Sequence, residues 1–208
     1  MNIVLLGAAG SGKGTISEFI KKEYGLTHIS TGAILRDNIK RGTPLGVLAA
    51  KYINDGNLVP DEVAIEMIKD IVGQNGTGYI FDGFPRNLNQ AQKLDEICKI
   101  DVVLSVEVQR DILLNRLSGR RVCPKCGATT SVNEAPDGLC LNCKTKLITR
   151  DDDKPESIKK RLQIYESGAN ILKEYYKDKL NLIDNSGDVA TTIKSVMNVL
   201  GGNKIYDL

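Results

Sequence analysis

Asn2-Ile3-Val4-Leu5-Leu6 runs straight into Gly7-Ala8-Ala9-Gly10-Ser11-Gly12-Lys13-Gly14-Thr15, and the reading of this junction decides the fold. The first five residues are a short run, mostly branched and apolar, of the kind that forms a buried strand. From Lys13 to Tyr24 the pattern turns helical. Between them lie small residues that let the backbone curl until successive N–H groups point at one anion, with the positive end of the helix behind them and a lysine beside them. Gly10, Ser11, Gly12, Lys13, Gly14 and Thr15 are therefore the candidate phosphate cradle. The strict form of such a loop has Ser or Thr directly after the lysine, whereas here Gly14 intervenes and Thr15 follows. A plain strand-to-helix turn would not require so many small residues and a lysine together.

Outward from this junction, strand and helix patterns alternate. Gly78–Asp82, Asp101–Val106 and Asn181–Asp184 read as further buried strands, and Asp61–Val72, Asn87–Cys98, Arg110–Ser118, Lys154–Lys177 and Val189–Leu200 as helices. Such alternation predicts an α/β fold, a parallel sheet with helices on both faces joined by right-handed crossovers. Two stretches interrupt it. Ser30 to Val59 is helical without a strong strand, and Arg120 to Asp153 loses helical periodicity while gathering Pro124, Pro136 and several glycines. The expected division is a core of residues 1–29, 60–119 and 154–208, a helical insertion at 30–59 and a second insertion at 120–153.

Composition narrows the function classes. The 208 residues are 41% hydrophobic and 26% charged, a globular balance, and 28 basic against 26 acidic residues leave a formal charge of +2. That gives no general attraction to nucleic acid or membrane, and with aromatic residues at 5% base stacking is not expected to dominate recognition. The apolar start is too short for a signal peptide and no run of eighteen apolar residues occurs, so the cytoplasm is expected. A monomer is the expected working unit.

Cys123-Pro124-Lys125-Cys126 and Cys140-Leu141-Asn142-Cys143 are two Cys-x-x-Cys hairpins, each aiming two thiolates at one point. Four thiolates suit a tetrahedral structural zinc in a closed shell, with iron as the chemical alternative and disulfides disfavoured in a reducing compartment. Cys98 reads as a helix end packing inward, and His28, the single histidine, as structural. Asp82 closes a buried strand at its carboxyl end, where open α/β sheets bind ligands, and a carboxylate there can hold Mg²⁺ through water.

The order of motifs is similar to that of the nucleoside monophosphate kinases, and within them the chain resembles the adenylate kinase family of the zinc-lid type. The loop ending Gly12-Lys13-Gly14-Thr15, Ser30-Thr31-Gly32 with Arg36, Asp82-Gly83-Phe84-Pro85-Arg86 with Gln90, Gly119-Arg120-Arg121, and Thr149-Arg150-Asp151-Asp152 with Arg161 carry the resemblance over nearly the whole chain. It implies reversible phosphoryl transfer from Mg-ATP to AMP, giving two ADP, by direct in-line transfer. The insertion at 30–59 would bind AMP, and the insertion at 120–153 would be a zinc-bearing lid.

Site roles follow from the same resemblance. AMP would meet Thr31, Arg36, Gly83, Phe84, Pro85, Arg86, Arg150 and Arg161, with Gln90 on the adenine edge and the backbone of Asn57, Leu58 and Val59 closing over it. Related UMP/CMP kinases tend to carry Ala and Asn where this chain has Thr31 and Gln90. ATP would meet the phosphate loop, Arg116, Arg120, Thr129, Thr130 and, through main chain, Gly187. Where the family has an acidic residue after Thr-Gly, this chain has Ala33, and its lid lacks the longer spacer with a histidine and aromatics near Thr129.

Lys13, Arg86, Arg120, Arg150 and Arg161 are the expected catalytic cations: the transferred group spreads charge over its equatorial oxygens, and guanidinium supplies planar, permanently charged, bidentate donors. A kinase for another monophosphate, or a non-catalytic nucleotide or zinc-ribbon module, are the alternatives.

Overall fold

The computed structural model describes residues 1–74 and 78–201. Five parallel strands, β1 (Ile3–Leu6), β2 (Thr27–Ser30), β3 (Tyr79–Asp82), β4 (Val102–Glu107) and β7 (Leu180–Asp184), lie in the order β2-β3-β1-β4-β7. β1 is central, with Ile3 opposite Ile80 on one side and Val102 on the other.

Strand periodicity sorts the core. Val4 and Leu6 face one layer with Phe81, Val103, Phe84 and Leu94, while Ile3 and Leu5 face the other with Ile80, Leu104, Ile16 and Ile20. α1 (Lys13–Tyr24) and α8 (Val189–Leu200) cover the second face; α4 (Asp61–Gln74), α5 (Leu88–Ile97) and α7 (Pro155–Tyr175) cover the first. Burial on both faces explains why the central strands β1, β3 and β4 read as largely continuous apolar runs rather than alternating ones, whereas β2 and β7 at the edges are more exposed. Truncating a fully buried side chain such as Phe81 would cost about 3–5 kcal/mol.

The expected helices stand within one or two residues of their predicted ends. Asn87 caps α5 instead of belonging to it, its side chain accepting from the Gln90 N–H, and Cys98 closes the other end. One core strand was not predicted. Thr27–Ser30 is an edge strand of four residues, three of them polar and three part-exposed, so it lacks the apolar run that marks its neighbour β3.

Between β2 and α4 lie α2 (Thr31–Arg41) and α3 (Pro44–Ile53), packed against each other, with Thr43 capping α3 by accepting from Gly46 N–H. α6 (Arg110–Ser118) leads into an antiparallel pair, β5 (Arg120–Val122) and β6 (Thr129–Ser131). The rest of residues 120–153 is turns, isolated bridges joining Val122 to Ile148 and Leu139 to Lys146, and a single 3-10 turn at Asp151–Asp153. Its small buried cluster is built around Cys123, Ala135, Cys140 and Leu147. The expected core segment runs on to residue 208, of which 202–208 lie outside the described residues, as do 75–77 of segment 60–119.

Candidate active site

A cleft of about 1250 Å³ opens at the carboxyl ends of the parallel strands. The loop after β1 forms its base. Gly7, Gly10 and Gly12 all have positive φ, at 147°, 82° and 93°. Gly12 has no alternative, because a Cβ there would come 2.1 Å from Asn185 Nδ2. That amide donates to Ser11 O at 2.7 Å and fastens the loop to the end of β7. Lys13 Nζ folds over the loop and donates to the carbonyls of Gly7 (2.8 Å) and Ala8 (2.9 Å). Burial lowers the ammonium pKa to about 8, with Asp82 opposing and Arg86 and Arg161 adding to the fall. Ser11 Oγ is buried with no hydrogen-bond partner among the described residues.

Cations surround the rest. Lys13, Arg36, Arg86, Arg116, Arg120, Arg150 and Arg161 line the cleft against three lining carboxylates, Glu18, Asp82 and Glu134. Two buried aspartates behind the wall hold some of these arginines in place. Arg120 donates to Asp153 with both Nε (2.7 Å) and an NH2 group. Arg161 donates to Asp153 Oδ1 (3.0 Å) and to Asp152 O (2.8 Å), and pairs with Asp152 Oδ2 at 3.1 Å. Arg36 stands 4.0 Å from Asp152. Burial raises the pKa of the Asp153 carboxyl, but the bond and charge of Arg120, with Arg161 and Arg150, outweigh it and hold the group below its ordinary value. Arg150 donates to Thr129 Oγ1 at 2.9 Å, and burial together with Arg36 and Arg120 lowers its pKa to about 10. So many cations, crowded enough to depress one another's pKa, form a site for polyanions.

Asp82 sits at the end of β3 in the same cleft as Thr15. Burial opposes its ionisation, yet His28, Lys13 and Arg86 hold its pKa below the usual carboxylate value. His28 Nε2 is 3.4 Å from Asp82 Oδ2 and its Nδ1 is 3.6 Å from Glu18 Oε1. An ionised carboxylate at the base of a phosphate cleft fits the donor chemistry of Mg²⁺.

A side pocket opens off the arginines. Thr31, Gly32, Arg36, Asn57, Leu58, Val59, Gly83, Phe84, Arg86 and Gln90 are among its lining residues. Thr31 Oγ1 donates to Gly83 O at 2.8 Å, which ties the start of α2 to the turn after β3. Gln90 is 2% exposed.

The four paired cysteines come together with their sulfurs all within 4.8 Å of one another. Cys123 Sγ lies 3.4 Å from Cys143 Sγ, and Cys126 Sγ lies 3.6 Å from Cys140 Sγ and 3.7 Å from Cys143 Sγ. A disulfide needs about 2.05 Å. Zinc–sulfur bonds of about 2.3 Å in a tetrahedron separate the sulfurs by about 3.8 Å, so the set fits that metal. Pro124, within the first hairpin, accepts from Lys40 Nζ of α2 at 3.0 Å.

Most of the residues singled out in the sequence line one of the two pockets. Gly10, Gly12, Gly14, Thr15, Arg116, Thr129 and Thr130 line the main cleft. Arg116 also donates to Asn185 O at 2.9 Å. Pro85 lines the main cleft and Phe84 the side pocket. Gly187 is exposed and not among the lining residues, whereas Asn185 and Val189 on either side of it are. Sequence reasoning did not single out Asp153, Asn185, Glu134 or Asp61. The first two had a signal, one lying beside the Asp151-Asp152 of the lid exit and the other directly after the last strand. Among the described residues, no helix is long and apolar enough to cross a membrane.

The comparisons with known proteins bear on this arrangement. The family described as Adenylate kinase matches residues 5–181. An adenylate kinase of Clostridium perfringens (strain SM101 / Type A) is 43% identical over 98% of this chain and 100% of its own length. One from Caldicellulosiruptor bescii is 44% identical over 97% and 99%. Another, from Clostridium tetani, is 41% identical over the same shares. With the family's match spanning most of the chain and relatives this similar from end to end, the chain belongs to the adenylate kinase family.

Proposed function

We infer that this protein catalyses ATP + AMP ⇌ 2 ADP, and that its three parts divide the work. A core of residues 1–29, 60–119 and 154–208 binds the donor's phosphates, residues 30–59 hold the acceptor, and residues 120–153 are the lid. The observation that carries this is a single cleft holding a phosphate loop and six arginines, in a chain of this family.

In this reading the N–H groups of Gly10 to Thr15 cradle the phosphates of ATP, and Lys13 exchanges the Gly7 and Ala8 carbonyls for phosphate oxygens. Asp82 would hold Mg²⁺ through water, and the ion would supply charge to offset that of the phosphates. Arg120, Arg150 and Arg161, oriented by Asp153, Asp152 and Thr129, face the transferring group, while Arg36 and Arg86 anchor the acceptor phosphate. Catalysis then consists of bringing two oxygens into line and stabilising charge between them, with no covalent intermediate. The lid carries Thr129, Thr130 and Arg150 over the cleft and excludes water, which protects ATP from hydrolysis.

Thr31 and Gln90, in the side pocket beside Leu58 and Val59, read the acceptor's base. Arg116 and main chain near Gly187 receive the donor's adenine. Zinc in the Cys123, Cys126, Cys140 and Cys143 shell is structural, since four sulfurs leave no open position. The enzyme works on ATP, AMP and ADP as a cytoplasmic monomer, without nucleic-acid or membrane partners.

The deciding experiment is phosphoryl transfer from Mg-ATP to AMP, GMP, CMP and UMP in parallel. AMP is the best acceptor by kcat/KM; a higher value for any of the others overturns the assignment of Thr31 and Gln90.

A further inference from the structure

Asp61, in the first turn of α4, receives more side-chain hydrogen bonds than any role named so far explains. Asn87 Nδ2 donates to both of its oxygens (2.9 and 3.2 Å), Asn89 Nδ2 donates to Oδ2 (2.8 Å) and Gln90 Nε2 donates to Oδ1 (2.7 Å). Burial opposes the charge, but these three amides outweigh it and keep the carboxyl pKa below its ordinary value. At its other end, Gln90 Oε1 accepts from the Arg86 backbone N–H at 2.8 Å. An ionised carboxylate only accepts and a backbone N–H only donates, so the Gln90 amide has one permitted orientation. Each end keeps one capacity unspent, one N–H on the nitrogen and one lone pair on the oxygen.

We propose that Asp61 is a positioning residue that fixes which way round Gln90 presents its amide, and so makes the acceptor pocket select a 6-aminopurine over a 6-oxopurine. The chemistry is an order of donor and acceptor. At the edge carrying position 6, adenine offers a ring nitrogen that accepts beside an amino group that donates. Hypoxanthine has the same outline with the order reversed, an N1–H donor beside an O6 acceptor. An amide free to turn over can match either base; one clamped between Asp61 and Arg86 matches one. Buried polar groups left facing the wrong partner are what give a site strong discrimination between near-isosteres. Thr31 and Leu58 line the same pocket, so the base has little room to slide and restore the match.

This inference rests on Gln90 reading the base, and the experiment separates the two. Acceptor kcat/KM is measured for AMP and for inosine monophosphate with the unmodified enzyme, Asp61→Asn, Asp61→Ala and Gln90→Ala, with a melting curve for each. Asp61→Asn leaves one acceptor oxygen for three donors and sets an NH2 group among them, which weakens the hold on the nitrogen end of Gln90 and leaves the Arg86 N–H as its main constraint. The AMP-to-IMP ratio then falls about tenfold, the usual effect of losing one hydrogen bond to a charged group. Asp61 is only half-buried and water can replace its oxygens, so Asp61→Ala folds and shows the same fall in the ratio should Asp61→Asn not fold. Gln90→Ala loses the discrimination altogether.

If both Asp61 variants keep the ratio within twofold while Gln90→Ala loses it, the positioning role is overturned and the reading of Gln90 stands. Equal losses for both nucleotides at an unchanged ratio mean that Asp61 only braces α4 against α5, which also overturns the proposal. A Gln90→Ala enzyme that discriminates normally overturns the reading of Gln90 and the proposal together.

Discussion

Asp153→Asn tests whether Arg120 and Arg161 are held by buried charge or by nucleotide alone. The substitution keeps the shape and one acceptor oxygen but turns an N–H2 group toward donors. Asp153 accepts from Arg120 through both oxygens and from Arg161 through one, its own side chain fully buried and theirs 15% and 17% exposed. Removing one partner of a buried ion pair costs about 3–5 kcal/mol. The lower end applies here, since both guanidiniums retain some contact with solvent and Arg161 keeps Asp152. A loss of about 3 kcal/mol lowers the melting temperature of a chain this size by about 6–12 °C.

The pH dependence has a definite sign. Asp153 has a folded pKa below its unfolded value of 3.8, so its contribution is fully present above that value and is lost as pH falls through the folded pKa. Differential scanning calorimetry of both proteins from pH 7 down to pH 3 should therefore show a constant gap that narrows only at the acid end. A gap under 2 °C at pH 7, or one that widens on acidification, refutes the bracing argument.

Lys13→Ala and Arg86→Ala should each lower kcat about a thousandfold or more at saturating nucleotides, with melting temperatures little changed, because their charges act on phosphate rather than in the core; a near-normal rate in either removes that residue from the transition state. Because the Lys13 pKa stands at about 8 and adjacent phosphate must raise it, ATP binding at pH 8 should take up about half a proton, measured by calorimetry in buffers of different ionisation enthalpy. Proton release, or none, contradicts it. Cys126→Ser, or chelation of the metal, should lower the melting temperature and loosen the lid while costing less activity than Lys13→Ala, since zinc modules of this kind draw about 10 kcal/mol or more from the metal. Elemental analysis finding no bound metal in protein purified under reducing conditions sinks the zinc assignment.

What could be read from the chain was what periodicity and local spacing encode. The buried strands announced themselves by branched apolar runs, and the phosphate loop and cysteine hairpins place their chemistry within a few consecutive residues. The edge strand Thr27–Ser30 escaped because three of its four residues are polar and only Ile29 is buried, so no apolar run marks it. Asp153 and Asn185 escaped for a different reason. Their partners Arg120 and Ser11 lie 33 and 174 positions away, and only the folded sheet makes them neighbours. Gly187 itself is exposed, while Asn185, two residues earlier in the turn after β7, lines the cleft.

The contact between Lys40 and Pro124 gives α2 a foot at each end. Its first residue, Thr31, is tied to the turn beneath the acceptor pocket, and its last turn touches the cysteine hairpin. The helix thus spans about 15 Å between the side pocket and the four-cysteine cluster. A single exposed hydrogen bond contributes about 1 kcal/mol, which favours the shut arrangement only about fivefold. That is a spring catch rather than a lock. Under the proposed function residues 30–59 and 120–153 must part during turnover, and a contact of this strength would yield without a large barrier.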